Sequence, residues 1–121
     1  MGYDKLCKNI LELDPKIRFV GVVKTSGILT NEMNQEGVEQ LLSPEELKMS
    51  IHYSKMEWEK SKNLSHKIGN ESASIVEYDK VTLISIPLNN QDLFVASMEP
   101  NEDYFKMLLK IKSEIQNGIN D

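Results

Sequence analysis

The hydrophobic positions of this chain follow two different periods. Apolar side chains recur at helical spacing in three segments, which are residues 3–13, residues 44–61 and the residues after Pro100. Short apolar runs at 17–24, 28–33, 72–78, 81–86 and 93–98 have the length of strands instead. The pattern therefore predicts the order helix, strand, strand, helix, strand, strand, strand, helix.

Three of the predicted strands, 17–24, 81–86 and 93–98, are apolar on both faces. In the first, we expect Ile17, Phe19 and Val23 on one face and Val20 and Val22 on the other. A sheet that is apolar on both sides needs cover on both sides. We therefore predict an α+β fold, in which a five-stranded antiparallel sheet has the long central helix on one face and the two terminal helices on the other. Residues 28–33 are more polar and suit an edge strand.

The clearest local signal is Ser43-Pro44-Glu45-Glu46, which has capping-box spacing and a proline at the first helical position. Its two carboxylates lie where the positive end of the helix dipole favours negative charge. We expect this helix to run from residue 44 to about residue 61.

Glycine and proline mark several boundaries. Gly27 suits a hairpin between the first two strands, and Pro87 should end the fourth strand because it cannot donate to a ladder. Residues 79–80 can turn a second hairpin. We expect Asn101 to cap the last helix and Asn117-Gly118 to stop it.

Length and composition indicate one domain spanning residues 1–121. The net charge of −5 argues against a nucleic-acid partner, because phosphate binding relies on lysine and arginine. A single cysteine, Cys7, is typical of a reducing compartment, and no run is apolar enough to span a membrane. We therefore expect a cytoplasmic protein without a membrane partner.

The sequence contains no cluster that signals chemistry. His52 and His66 are too far apart to form a helical ligand pair, and Cys7 lies near the apolar stripe of the first helix. The isolated glycine turns do not form a phosphate-binding motif. We therefore expect no enzyme, no cofactor and no metal site. A basic cluster, Lys60, Lys62, His66 and Lys67, fits either a solvated helix end or an anionic partner.

The central helix carries a second apolar stripe nearly opposite its first one. The first stripe consists of Leu47, Ile51 and Trp58. The second stripe, Met49, Tyr53 and Met56, is either covered by the chain's own loops or contacts a partner. A neighbouring edge strand at 72–78 could pair with a second copy. The residues predicted at a dimer or partner interface are Met49, Tyr53, Met56, Ser72, Ser74 and Val76.

The order of elements resembles the roadblock/dynein light chain family of the profilin-like group. That resemblance implies a homodimer formed through the long helix and the following edge strand, and a role in scaffolding or in regulating a small GTPase. More locally, residues 13–22 and 93–100, followed by Tyr104, resemble a group of small proteins from ammonia-oxidising archaea. These local motifs are structural and imply no activity.

A sensor domain of the PAS or GAF kind is the alternative interpretation, because it shares the strand order. Such a domain would hold a small ligand in an enclosed pocket of several hundred Å³ between helices and sheet. One long, well-capped helix favours the roadblock interpretation.

Overall fold

The computed structural model describes residues 2–88, 91–100 and 103–120, and its elements follow the predicted order. They are α1 (Tyr3–Leu11), β1 (Ile17–Val23), β2 (Leu29–Asn34), α2 (Pro44–Ser61), a 3₁₀ turn (Lys62–Leu64), α3 (Ser65–Ile68), β3 (Ser74–Glu77), β4 (Thr82–Pro87), β5 (Leu93–Met98) and α4 (Tyr104–Asn120).

The five strands form one sheet in the order β2-β1-β5-β4-β3, and every neighbouring pair is antiparallel. The predicted α+β architecture is confirmed. Because β1, β5 and β4 lie in the centre, the three strands that are apolar on both faces are those with a neighbour on each side. The edges are β2 and β3, both as predicted.

Each face of the sheet has its own hydrophobic core. Beneath α1 and α4 the core includes Cys7, Ile10, Phe94 and Ile111, all fully buried. Beneath α2 the core is smaller, consisting of Val23, Ile51, Trp58, Leu93 and Val95. The long helix and the two terminal helices therefore cover opposite faces of the sheet, as expected for strands that are apolar on both faces.

The predicted facing of Ile17 is wrong. Ile17 lies in the core beneath α1 and α4 with Val20 and Val22, whereas Phe19 packs on the opposite core. The register between β1 and β5 shifts between Ile17 and Phe19. Such an irregularity breaks the strict alternation of side chains along the strand, so Ile17 and Phe19 face opposite sides of the sheet.

The ends of the terminal helices also differ from prediction. Helix α1 ends at Leu11, where the backbone N–H of Leu13 turns back to the Ile10 carbonyl at 3.0 Å. Helix α4 continues through Gly118 to Asn120, so the predicted stop is wrong. A Cβ on Gly118 would lie 3.2 Å from Leu6 Cδ1, so this glycine lets α4 and α1 approach closely.

The N-terminus of α4 is capped by Asp103. Its Oδ1 accepts a hydrogen bond from the Lys106 backbone N–H at 3.1 Å, the geometry of an N-cap. The cap predicted at Asn101 lies outside the described residues.

Candidate interaction surface

Helix α2 begins at the predicted residue because its first turn is capped as the sequence indicates, and it ends at Ser61, as expected. The Glu46 backbone N–H donates to Ser43 Oγ at 3.2 Å, and the Ser43 backbone N–H donates to Glu46 Oε1 at 2.9 Å. These reciprocal bonds satisfy two backbone donors that a helix start otherwise leaves unpaired.

Only a narrow stripe of α2 packs on the sheet. Ile51 and Trp58 are buried and Leu47 is half-buried, and together they contact the smaller core. Ser50, Ser54 and Ser61 are half-buried beside this stripe. Much of the helix surface therefore remains available.

The predicted second stripe is exposed on the outer side of α2. Met49 is 52% exposed, Tyr53 57% and Met56 38%. The chain's own loops therefore do not bury these three side chains. Exposed apolar groups gathered on one helix face are typical of an interaction surface.

Strand β3 is shorter than predicted and does not include Ser72. Ser72 accepts a hydrogen bond from Lys112 Nζ of α4 at 3.4 Å. This contact joins Ser72 to α4, and the ladder with β4 begins at Ser74. Burial raises the pKa of the Glu71 carboxyl, and the negative charge of Glu57 adds to that effect.

The remaining predicted strand residues share the sheet face that α2 covers. Ser74 lies opposite Ser85 and Val76 lies opposite Leu83, while the intervening Ile75 pairs with Ile84 of the other core. Val76 is 46% exposed and Ser74 is half-buried. The structure thus brings Ser74 and Val76 to the face of α2 and places Ser72 outside the strand.

The two sheet edges differ in their capacity to pair with another strand. On β2, Asn31 has φ +56° and the register with β1 shifts between Val20 and Val22, which disturbs a flat edge. On β3 the register runs without interruption from Ser74 to Glu77. The Tyr78 N–H donates to the Val81 carbonyl at 2.8 Å. Because antiparallel strands bond through alternate residues, Ser74 and Val76 also bond to β4, and the backbone groups of Ile75 and Glu77 face outward. The regular edge is therefore β3.

Two depressions lie beside α2. The first, which we name the connector groove, is bounded by residues 38–42, Ser50, Ser54, Leu83 and Val95 and has a volume of about 100 Å³. The second is a cleft of about 490 Å³ between the β1–β2 hairpin and the start of α2, where Ile28, Glu32 and Lys48 are exposed.

Neither depression is the enclosed pocket that the sensor alternative requires. The connector groove is smaller than the roughly 300 Å³ at which small-molecule sites begin. The cleft is large enough, but it lies at the sheet edge and opens to solvent between exposed residues.

The basic cluster at the end of α2 is spread over exposed positions. Lys62 Nζ lies 4.3 Å from the centre of the Trp58 ring, a cation–π contact, and Lys60 Nζ is 3.8 Å from Glu57 Oε1. His66 and Lys67 are exposed in α3. Two of these cations therefore already have partners within the helix.

Asp92 lies in the polar segment before β5, yet its side chain is buried. Its Oδ2 accepts hydrogen bonds from Tyr3 Oη and Lys24 Nζ, each at 2.9 Å, and its Oδ1 accepts one from the Thr25 backbone N–H at 3.1 Å. Burial opposes ionisation, but the hydrogen bonds from Lys24 and Tyr3 outweigh it and lower the pKa of Asp92. The signal for this burial in the sequence was the position of Asp92, directly before a strand that is apolar on both faces.

Leu41 and Leu42 were also missed. They lie in the acidic segment before α2, line the connector groove and remain 47% and 43% exposed. The signal available in the sequence was the pair of adjacent leucines within an otherwise polar segment.

The groups considered for chemistry lie apart from one another. Cys7 is buried, and its burial and the nearby Asp4 raise its thiol pKa to about 11. His52 and His66 are exposed. Within the part of the chain that the structure describes, no three metal-binding side chains are grouped. Among the same residues, no helix combines the length and apolarity needed to cross a bilayer.

Comparison by sequence finds no matching family model and no matching curated protein. Comparison of structures does find relatives. The Roadblock/LC7 domain from Streptomyces avermitilis superposes with a TM-score of 0.72 at 10% identity, over 94% of this chain and 92% of that one.

Two MglB proteins match equally well. The gliding protein MglB from Thermus thermophilus gives a TM-score of 0.75 at 11% identity, over 95% of this chain and 87% of that one. MglB from Myxococcus xanthus gives 0.70 at 14% identity, over 93% and 88%. The shared order of elements and the near-complete coverage show that this chain has the Roadblock/LC7 fold.

Proposed function

We propose that this protein is a non-catalytic regulatory or scaffold module that forms a symmetric homodimer and presents the joined surface to a protein partner. The observation that carries the proposal is the position of the regular β3 edge beside the exposed Met49, Tyr53 and Met56 stripe. One interface can use both features.

Pairing of β3 with β3 of a second copy would continue the sheet across the two molecules. The outward backbone groups of Ile75 and Glu77 would supply the hydrogen bonds. Val76 would be covered on the α2 face, where it is now 46% exposed. A two-fold axis would place the same surface of both copies in contact, as closed dimers require.

The stripe on α2 suits the same contact. Methionine side chains adapt to the surface they meet, and tyrosine contributes apolar area with one polar atom. The fold supports the proposal at a coarser level, since one MglB structure that superposes on this chain with a TM-score of 0.76 is described as a tetrameric arrangement. Self-association therefore occurs on this fold.

The partner we propose is a small GTPase or another regulatory protein. This part of the proposal rests on the roadblock resemblance and on the exposed area that a dimer would leave on α2, including Lys48 and His52.

Light scattering tests the dimer. We expect twice the mass of one chain at tens of micromolar, and a monomer for Met56→Asp, because the interface would bury an unpaired carboxylate. Leu109→Asp is the matched control, since Leu109 is 52% exposed on α4, which covers the opposite face. A wild-type monomer, unchanged by Met56→Asp, would refute the dimer.

Affinity capture tests the partner. The wild-type protein and Lys48→Glu, a change on the part of α2 that the proposed dimer leaves exposed, are used as baits in parallel in a lysate of the native cell supplied with a non-hydrolysable GTP analogue. We expect a GTP-binding protein to be retained by the wild type and lost with the variant. Equal retention by both baits would contradict a partner site on the part of α2 that the dimer leaves exposed.

A further inference from the structure

The connector groove is apolar inside. Leu41 and Leu42 line it together with Phe19, Leu83 and Val95. Its volume of about 100 Å³ is roughly three times the volume of one liquid water. The groove can therefore accept one aliphatic side chain, the size of a single anchor residue at a protein interface.

The groove is held in shape before any ligand binds. Arg18 Nη2 donates to the Glu39 carbonyl oxygen at 2.8 Å, which fixes the segment 38–42 over the sheet. Gln40 Nε2 donates to Asn34 Oδ1 at 2.8 Å. A preformed site loses less conformational entropy when it binds a partner.

The surroundings of the groove are acidic. Residues 25–47 contain five glutamates and no lysine or arginine. Glu39 lines the groove, and Glu46 lies one helical turn before Ser50 on the same flank of α2. Arg18 is the one cation among the described lining residues, and Glu99 Oε1 neutralises it at 2.7 Å.

We propose that the connector groove binds a basic, apolar segment of a partner protein, with a leucine-sized side chain in the groove and lysine or arginine on the acidic rim. Charge complementarity is the reason for choosing a basic partner. The site goes beyond the proposed dimer, because none of its lining residues belongs to the six predicted interface residues.

A capped peptide of sequence Lys-Lys-Leu-Leu-Lys-Lys is the probe, added to the isotope-labelled full chain and followed by amide NMR shifts. We expect shifts at residues 38–42 and at Ser50 and Ser54. A peptide with serine in place of leucine, and one with glutamate in place of lysine, should each bind about tenfold more weakly. Raising the salt from about 50 to 500 mM should weaken binding, since the rim charges are exposed.

Two variants locate the site. Leu42→Ser removes apolar lining, and Glu39→Gln removes rim charge; each should weaken binding about fivefold or more. Leu109→Ser is the matched control on the opposite face and should bind like the wild type. Because Leu42 is 43% exposed, its replacement leaves the buried cores intact.

Three outcomes would overturn the proposal. The serine peptide could bind as well as the leucine peptide, or the shifts could map to α4. Alternatively, Leu42→Ser could abolish self-association, which would assign the groove to a second copy of the chain. Light scattering on the same samples separates these outcomes from failure of the dimer itself.

Discussion

Lys24 Nζ lies 2.9 Å from Asp92 Oδ2, joining the residue after β1 to the residue before β5. The two residues are 68 positions apart in sequence, and they meet because β1 and β5 are antiparallel neighbours. Asp92 is buried, while the Lys24 side chain remains 43% exposed. The pair therefore links the end of β1 to the start of β5 in the centre of the sheet.

Replacing Asp92 with asparagine should lower the free energy of unfolding by about 1 to 3 kcal/mol at pH 7, because buried donors lose a charged acceptor. Urea unfolding measures this change. Asp79→Asn, in the exposed β3–β4 turn, is the control and should stay within about 0.5 kcal/mol of the wild type.

The same pair makes a pH prediction. The pKa of Asp92 is lowered in the folded state, so its contribution is present above the unfolded pKa of about 3.9 and is lost as pH falls through the folded pKa. The difference in stability between wild type and Asp92→Asn should therefore shrink below about pH 4. The hydrogen bond to Asp92 raises the pKa of Lys24, whose contribution is lost only above its unfolded pKa of about 10.4. A difference that stays constant down to pH 2 would contradict this assignment.

Removing the capping hydroxyl with Ser43→Ala should destabilise the protein by about 1 kcal/mol, because the Glu46 N–H loses its acceptor at the start of α2. Thermal or urea unfolding measures the loss. Ser113→Ala, on the exposed side of α4, should be neutral or slightly stabilising because alanine has the higher helix propensity. Equal effects of the two changes would argue against the capping box as a source of stability.

Cys7 should react with a thiol reagent only when the protein opens. Its thiol is fully buried, and with a pKa of about 11 roughly one molecule in a thousand is a thiolate at pH 8. Labelling with Ellman's reagent should be slow in buffer and rapid in denaturant. Asp92→Asn should accelerate labelling about tenfold for every 1.4 kcal/mol of stability that it loses, because labelling follows the population of the opened form. Fast labelling of the native wild type would show that the core beneath α1 is not closed.

A single lysine placed on each sheet edge in turn tests which edge forms the dimer. Val76→Lys, on β3, should convert the proposed dimer to a monomer, because a lysine on a pairing edge discourages strand addition. Glu32→Lys, on the exposed part of β2, should leave the mass in light scattering unchanged. The reverse result would assign dimerisation to β2.

The local patterns of the chain determined its elements and its layers. The capping box located the start of α2, and three strands that are apolar on both faces required helices on both sides of the sheet. These features depend on neighbouring residues and on simple periodicity, which a sequence displays directly. The outward position of Met49, Tyr53 and Met56 on α2 followed from the same periodicity.

Only the tertiary structure decided features that depend on residues distant in sequence. The register shift in β1 reversed the facing of Ile17, Ser72 contacts Lys112 of α4 instead of joining β3, and Leu6 explains a glycine within α4. The burial of Asp92 required β1 and β5 to be neighbours. Helical and strand periods specify which side of an element is apolar, but the partner that covers that side is fixed only when the strands pair and the helices pack.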